Sequence, residues 1–410
     1  MLSLDAAWSL IEQTVTPGPM ACVPVSEALG LVLAESIVSG EDSPPFDKSM
    51  MDGFAVRAAD VAADSLTIVG ELTAGQVPRR QVHAGEAIRI MTGAPIPTGA
   101  DAIVPIESTV VSGDQLTIAA DLPVAIGDHI VRQGTSMRVG EPLLTPGTCL
   151  TPRQVGLLAE LGHHEVRVRP RPRVAILTTG NELVPIDQPP GPGQIRNSNE
   201  PMLCAQITAC GGTPMPLGIA RDTPDDLARG IAQGLTADFL CLSGGVSAGK
   251  LDLVPQLLRE AGVKEVFHKV RLKPGKPVWF GQSTGERPCC IFGLPGNPVS
   301  SMVCCELFVG PALARWQDGA AITKPWITAR LVAEFTSTSD RPVFFPARLT
   351  QAEGAMLVQP VNWQGSFDLR ATIDANALAC FSAAGTFAAG TLVHVVPLRG
   401  TNLFSVTGQK

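Results

Sequence analysis

Between Val174 and Trp316 the chain alternates short apolar runs with longer amphipathic ones, and that alternation restricts its fold more than anything else in 410 residues. Val174 to Leu177, Met215 to Ile219, Phe239 to Leu242, Val263 to Phe267, Val278 to Phe280 and Cys290 to Phe292 read as strands. Helical patterns run from about Glu200 to Cys210 and from about Asp252 to Ala261. Another is opened by Thr223-Pro224, with Asp226 in a capping-box-like place. A long apolar-periodic run, Val299 to Trp316, closes the series. Alternating βα units imply a doubly wound, mostly parallel sheet with helices on both faces.

What flanks this unit is patterned differently. Ser3 suits the cap of a helix with Leu4, Trp8 and Ile11 on one face, and Ser26 the cap of a second reaching about Ile37. After Gly40, short strand-like runs appear: Phe54 to Val56, Leu66 to Val69, Ala87 to Met91, Ala102 to Ile106 and Leu116 to Ala119. Thr151-Pro152 opens a third helix, with Val155, Leu158 and Leu161 inward and Gly162 as its stop. The basic run Val166 to Arg173 reads as a boundary strand or linker, and as a solvated edge in preference to an anion patch. Beyond Lys324-Pro325 strands return, at Ile327 to Phe335, Val343 to Leu349, Met356 to Gln359 and Leu392 to Val396. The expected fold is therefore multidomain α/β in four parts. Residues 1–40 and 141–170 form a small discontinuous N-terminal domain with helices. Residues 41–140 form a β-rich insert, 171–323 the α/β domain and 324–410 a C-terminal β domain.

Composition excludes several functions. A net charge of -7 argues against general affinity for nucleic acid or anionic membrane. No apolar run has the length of a membrane span, and Met1 to Trp8 lacks the basic start of a signal peptide, so a cytoplasmic protein is expected. Ten cysteines without a C-x-x-C pair read as small buried hydrophobes of a reducing compartment, and six scattered histidines show no zinc spacing.

In open α/β sheets, ligands bind beyond the carboxyl ends of the strands. There the sequence places Thr179, Gly180 and Glu182, then Arg221-Asp222, then Ser243-Gly244-Gly245 with Ser247 and Asp252 beyond. The last strand runs into Pro295-Gly296-Asn297-Pro298. Lys269, Lys273 and Lys276 lie between. Glycine loops let backbone N–H groups approach phosphate, lysines supply point charges, and carboxylates beside phosphate usually hold Mg²⁺. Asn297 and Pro298 suit the N-cap and first position of a helix whose N-terminus would favour an anion. Neither a G-x-G-x-x-G nor a P-loop is present. The insert carries its own dense stretch, Pro45 to Val56, in which Asp52-Gly53 is also readable as a turn, and a second at Arg89 to Pro97.

These residues resemble the MoeA family of molybdopterin molybdenumtransferases, to which the E domain of gephyrin is also similar. The matching segments are FDKSMMDGFAV (46–56), IMTGAPIP (90–97), TTGNEL (178–183), GQIRNSN (193–199), RD (221–222), SGGVSAG with Asp252, LKPGKP (272–277) and GLPGNPVS (293–300). They occur in family order and span nearly the whole chain. The resemblance implies that the α/β domain is molybdopterin-binding and MogA-like. It implies a cytoplasmic, elongated homodimer with a cleft between the α/β domain of one subunit and the β insert of the other. It also implies a Mg²⁺-dependent transferase that inserts molybdate into adenylylated molybdopterin and releases AMP. By position, Asp52, Glu182, Asp222 and Asp252 match the family's acidic site residues. Thr92, Lys269, Lys273, Lys276, Pro295, Pro298 and Ser366 match as well.

Charge then suggests roles: Lys273 and Lys276 would hold the molybdate dianion. Glu182, Asp222 and Asp252 make sense as Mg²⁺ ligands or as bases. One departure stands out. Where many members have Arg-x-x-Gly-Glu-Asp, this chain has Val131-Arg132-Gln133-Gly134-Thr135-Ser136. Two other readings are weighed, a molybdopterin adenylyltransferase and a gephyrin-like peptide-binding scaffold. The extra domains favour insertion over the first, and the absence of an added adenylylation domain argues against the second. A molybdopterin-adenylylating enzyme and molybdoenzyme maturation factors are the further partners such a chain would meet.

Overall fold

The computed structural model describes residues 1–245, 253–352 and 354–401. They form two contact units, one of residues 1–34, 146–152 and 165 onward, the other of 35–145 and 153–164. The first helix, α1 (Leu4–Thr14), starts as its sequence suggests, with the Ser3 side chain accepting the Ala6 N–H at 3.2 Å. Its buried residues Ala7, Trp8 and Ile11 join the core of the α/β domain, and Trp8 Nε1 donates to the Leu307 carbonyl at 2.6 Å. The second expected helix is not there. One 3₁₀ turn, Val25–Glu27, is ended by Gly30 at φ +75°, and Val32–Leu33 continues as a strand. Leu31, Val32 and Leu33 are buried in succession, a pattern that no single helix face provides. Val32–Leu33 pairs with Glu165–Arg169, which is the middle strand of a three-stranded sheet and not the solvated edge its charge suggests. Its inward residues Val166 and Val168 outweigh the exposed Arg167 between them.

The other unit is built on six strands: β1 (Gly53–Val56), β2 (Leu66–Leu72), β3 (Glu86–Ile90), β4 (Ala102–Pro105), β5 (Thr109–Ser112) and β6 (Gln115–Ile118). They lie in the order β4-β1-β3-β2-β6-β5. All four residues of β1 are buried. A Cβ on Gly53 would stand 2.1 Å from the Val104 carbonyl oxygen of the neighbouring strand. Asp52-Gly53 is thus the entry to a crowded strand, and not a turn. The helix α2 (Pro152–Glu160) buries Leu158 and stops before Gly162, at φ +77°. Its residues from Arg153 onward group with this unit, whereas α1 groups with the other.

From Arg173 the expected alternation holds: β7 (Arg173–Thr179), α3 (Asn199–Ala209), β8 (Thr213–Ala220), α4 (Pro224–Gly234), β9 (Phe239–Ser243), α5 (Val254–Glu260), β10 (Val263–His268), β11 (Trp279–Ser283) and β12 (Cys290–Leu294). The sheet order is β8-β7-β9-β12-β11-β10, and β11 alone runs against its neighbours. Side chains alternate between two cores. Val174, Ile176, Phe239, Cys241 and Phe292 face one side with α1 and α3, while Ala175, Leu177, Leu240, Leu242 and Ile291 face α4 and α5. The closing helix is interrupted: α6 (Pro298–Cys304), a π segment (Cys305–Val309) and α7 (Gly310–Asp318) follow one another without a break. The π segment holds Glu306, which is 1% exposed and pairs with Arg399 at 3.0 Å. Burial pushes its carboxyl above the usual range, and Arg399 and Gln206 oppose that.

The C-terminal strands β13 (Ile327–Leu331), β14 (Val343–Ala352), β15 (Ala355–Pro360), β16 (Ala377–Phe381) and β17 (Leu392–Pro397) close into a barrel in the order β13-β15-β14-β16-β17. The alanine-rich β16 has weak strand propensity and carries no signal of its own; it exists because Ala377, Ala379 and Phe381 fill the barrel. None of the ten cysteines is in a disulfide, and burial pushes thiols such as that of Cys290 up to about 12. Among the described residues, no helix is long and apolar enough to cross a membrane.

Candidate active site

A cleft of about 1060 Å³ lies beyond the carboxyl ends of β7, β9 and β12. Three strand ends supply most of its wall, in accord with the rule for open α/β sheets. After β7 come Thr179, Gly180 and Glu182, after β9 Gly244 and Gly245, and after β12 Pro295, Gly296, Asn297 and Pro298. Asp222, just past β8, and Ser243, the last residue of β9, complete that side. The residues anticipated at these four strand ends that fall in the described part therefore meet in one cavity, except Arg221, which lines a neighbouring one. Ser247 and Asp252 lie outside the described residues.

The loops are tied to one another. The Thr179 hydroxyl donates to Asp222 Oδ1, and the Asp222 N–H donates to Asn181 Oδ1 at 3.2 Å. Gly180 leaves room for its neighbour: a Cβ there would stand 2.6 Å from Glu182 Oε1. Asn199, at the start of α3, donates through Nδ2 to Ser243 Oγ at 2.8 Å and to the Gly296 carbonyl at 2.7 Å. It thereby fastens the β9 and β12 loops together. Beneath them Ser301 Oγ donates to the Pro295 carbonyl at 3.0 Å.

The start of α6 differs from expectation. Asn297 occupies the N-cap position, but its side chain makes no cap bond; its Nδ2 donates to Ser366 Oγ at 3.0 Å. The Val299 N–H is not free either, since it donates to the Ser366 carbonyl at 3.0 Å. Ser366 so joins the site through the helix start, by a segment far away in sequence.

Three anticipated cations do not line this cavity. Lys269, Lys273 and Lys276 are absent from its wall, to which Pro277 alone of that segment contributes. The backbone explains part of this: Lys273 N–H donates to Pro342 and its carbonyl accepts from Phe344, so the segment is bound to the barrel. Lys273 and Lys276 are exposed, and Lys269 sits at φ +70°, a conformation rare for a residue with a Cβ. Among the described lining residues the one cation is Arg196, and the carboxylates are Glu182 and Asp222. Arg196 and Asn199 are the residues that sequence reasoning left unassigned. The signal was there, because both stand in GQIRNSN, but neither spacing nor charge singled them out.

The second unit has a site feature of its own. Asp52 Oδ1 accepts from the Thr92 N–H at 2.8 Å and from the Thr92 hydroxyl at 2.9 Å. Two anticipated residues 40 positions apart are thus one hydrogen-bonded pair. Those bonds hold the Asp52 carboxyl below its usual range, with Arg89 a minor contributor, so it is ionised at neutral pH. Nearby in sequence, Arg132 pairs with Asp47 at 2.6 Å, and Ser136 is exposed at the end of a turn. Asp47 is likewise held low, chiefly by the Gln133 N–H.

Three family models match the chain in order. They are the MoeA N-terminal region (domain I and II) over residues 2–162, the "Probable molybdopterin binding domain" over 175–315, and the MoeA C-terminal region (domain IV) over 328–398. The molybdopterin molybdenumtransferase of Bacillus subtilis is 34% identical, over 94% of this chain and 91% of that one. The chain belongs to the MoeA family. A second MoeA relative, the molybdopterin molybdenumtransferase of Synechococcus elongatus, is 36% identical over 96% of this chain and 99% of its own. The solved MoeA protein of Pyrococcus horikoshii superposes with a TM-score of 0.82 at 31% identity, covering 98% of this chain and 100% of that one. The multidomain α/β architecture is therefore that of MoeA proteins.

Proposed function

We propose that this chain completes the molybdenum cofactor by inserting molybdate into adenylylated molybdopterin, with release of AMP. The observation that carries the reading is the single cleft in which the β7, β9 and β12 loops meet Glu182, Asp222 and Arg196. Backbone N–H groups of the glycine loops and the Arg196 guanidinium suit the phosphates of an adenylylated pterin. Glu182 and Asp222 offer hard oxygen donors at an exposed edge, which fits Mg²⁺ held together with phosphate and water. Bound there, Mg²⁺ would neutralise charge on the phosphoanhydride. Asp252 is proposed as a further ligand or base. Lys273 and Lys276, exposed cations on the neighbouring segment, are assigned to molybdate, with Lys269 beside them. Ser366 is assigned to the ligand through its place at the start of α6.

Asp52 and Thr92 act, in this reading, on the site of a second subunit of a cytoplasmic homodimer. The four-part domain division set out from the sequence belongs to the same proposal. The direct test is molybdate-dependent AMP release from adenylylated molybdopterin; release of pyrophosphate from molybdopterin and ATP would mark adenylylation instead. The subunit arrangement is tested by mixing Asp52→Ala with Glu182→Ala protein, each inactive alone. Mixed dimers should regain one intact cleft, and no recovery after confirmed exchange would sink the shared site.

A further inference from the structure

Phe367 stands in the wall of the cleft with 69% of its surface exposed. The chain has 14 phenylalanines, and among the described residues Phe46, at 43%, is the only other exposed one. Phe367 takes part in none of the ring pairs that organise the barrel, where Phe335, Phe345 and Phe381 pack on one another. A large apolar ring left to water inside a cavity calls for a reason.

Its backbone, by contrast, is pinned. Asp368 Oδ2 accepts the Gln364 N–H at 3.1 Å, Asp368 Oδ1 accepts the Ala371 N–H at 3.2 Å, and the Asp368 N–H donates to the Gly365 carbonyl at 2.9 Å. Ser366, the preceding residue, is bound twice to the start of α6. A Cβ on Gly365 would stand 3.3 Å from Phe367 Cε1, so the ring leans on bare backbone. The turn fixes the backbone that carries this flat apolar ring and leaves most of the residue exposed.

We propose that Phe367 is a stacking platform for a fused-ring nitrogen heterocycle, the adenine or the pterin end of the substrate; this rests on the functional reading above. Such rings stack on aromatic side chains through their π-faces and exclude water from both partners. Among the described lining residues no other carries an aromatic ring, and the apolar Leu183, Ile195, Leu253 and Leu369 have no π-face.

The test measures binding of two probes, AMP and molybdopterin, to the full chain and to Phe367→Ala, Phe367→Leu and Phe367→Tyr. Thermal unfolding is followed on the same samples, and an exposed ring should leave it unchanged. Phe367→Ala is expected to weaken one of the two probes about five- to hundred-fold, because one ring face serves one heterocycle. Phe367→Tyr should restore that affinity and Phe367→Leu should not. The probe affected identifies which end of the substrate lies there. Leucine binding as well as phenylalanine, or equal loss of both probes, would overturn the proposal in favour of apolar cover or a disturbed turn. Should the original chain bind neither probe, the functional reading falls and this inference with it. Should it bind them while all three variants bind alike, the inference about Phe367 falls alone.

Discussion

Two glycine loops lie side by side in the wall of the cleft, and they use glycine for opposite reasons. After β9, Gly244 and Gly245 sit at φ +99° and +66°, and a Cβ on Gly244 would stand 2.5 Å from the Thr179 carbonyl oxygen. Those glycines are required by the fold itself. After β12, Gly296 has no left-handed φ, and a Cβ on it would meet only the Gly244 Cα, at an ordinary 3.7 Å. The protein has room for a side chain there and no backbone reason to refuse one. A glycine that the apo fold does not need, between two prolines in a cavity wall, is one whose missing side chain matters to whatever fills the cavity.

The largest effect should come from the fold-required side. Gly244→Val should lower unfolding stability by about 3 kcal/mol, from left-handed strain and the clash with Thr179. Denaturant titration of the full chain checks it, and an unchanged midpoint would erase the contrast. Asn199→Ala comes next. It removes the two Asn199 bonds to the loops, and should cost about 2 kcal/mol and weaken ligand binding as well. Gly296→Val is the sharpest arm. Stability should stay within about 0.5 kcal/mol, while affinity for adenylylated molybdopterin falls about tenfold, or about 1.4 kcal/mol. A variant that loses stability and binds normally would make this loop structural like its neighbour. The smallest change is expected for Asn297→Ala, about 1 kcal/mol or less from the lost bond to Ser366. Its affinity should stay within about twofold; calorimetry on one sample reads both quantities.

Legibility in the sequence followed the period of the burial pattern. The α/β sheet was readable because its central strands β7, β9 and β12 are runs of buried, mostly apolar residues and its helices carry their own stops, so β7 to β12 appear where their residues place them. The stretch after Ser26 misled because a serine cap and scattered leucines resemble a helix start, while Gly30 and the continuous burial of Leu31 to Leu33 belong to a strand. β16 was invisible because alanine carries no strand preference and is buried only by the barrel that surrounds it. In the site, strand-end position located Thr179, Glu182, Asp222, Gly244 and Gly296. It did not tell that Lys269, Lys273 and Lys276 stand outside this cavity wall, since motif proximity says nothing about the barrel contacts that hold that segment. It also failed for Asn199, whose importance lies in two bonds to distant loops.

The π segment inside the last helix sets the phase of everything after it. Each residue of an α-helix turns the chain by about 100°, and a π turn accommodates one more residue than an α turn. Were Cys305–Val309 wound as regular α-helix with every residue kept, all that follows would be turned by about 100° from its present direction. Trp316, whose carbonyl accepts the Gly18 N–H at 2.8 Å and whose ring occupies the space a side chain at Gly18 would need, would be carried off that contact. Asn297 would keep its hold on Ser366. One inserted residue thus lets a single rod answer two unrelated demands for orientation, the cavity wall at one end and the amino-terminal arm at the other.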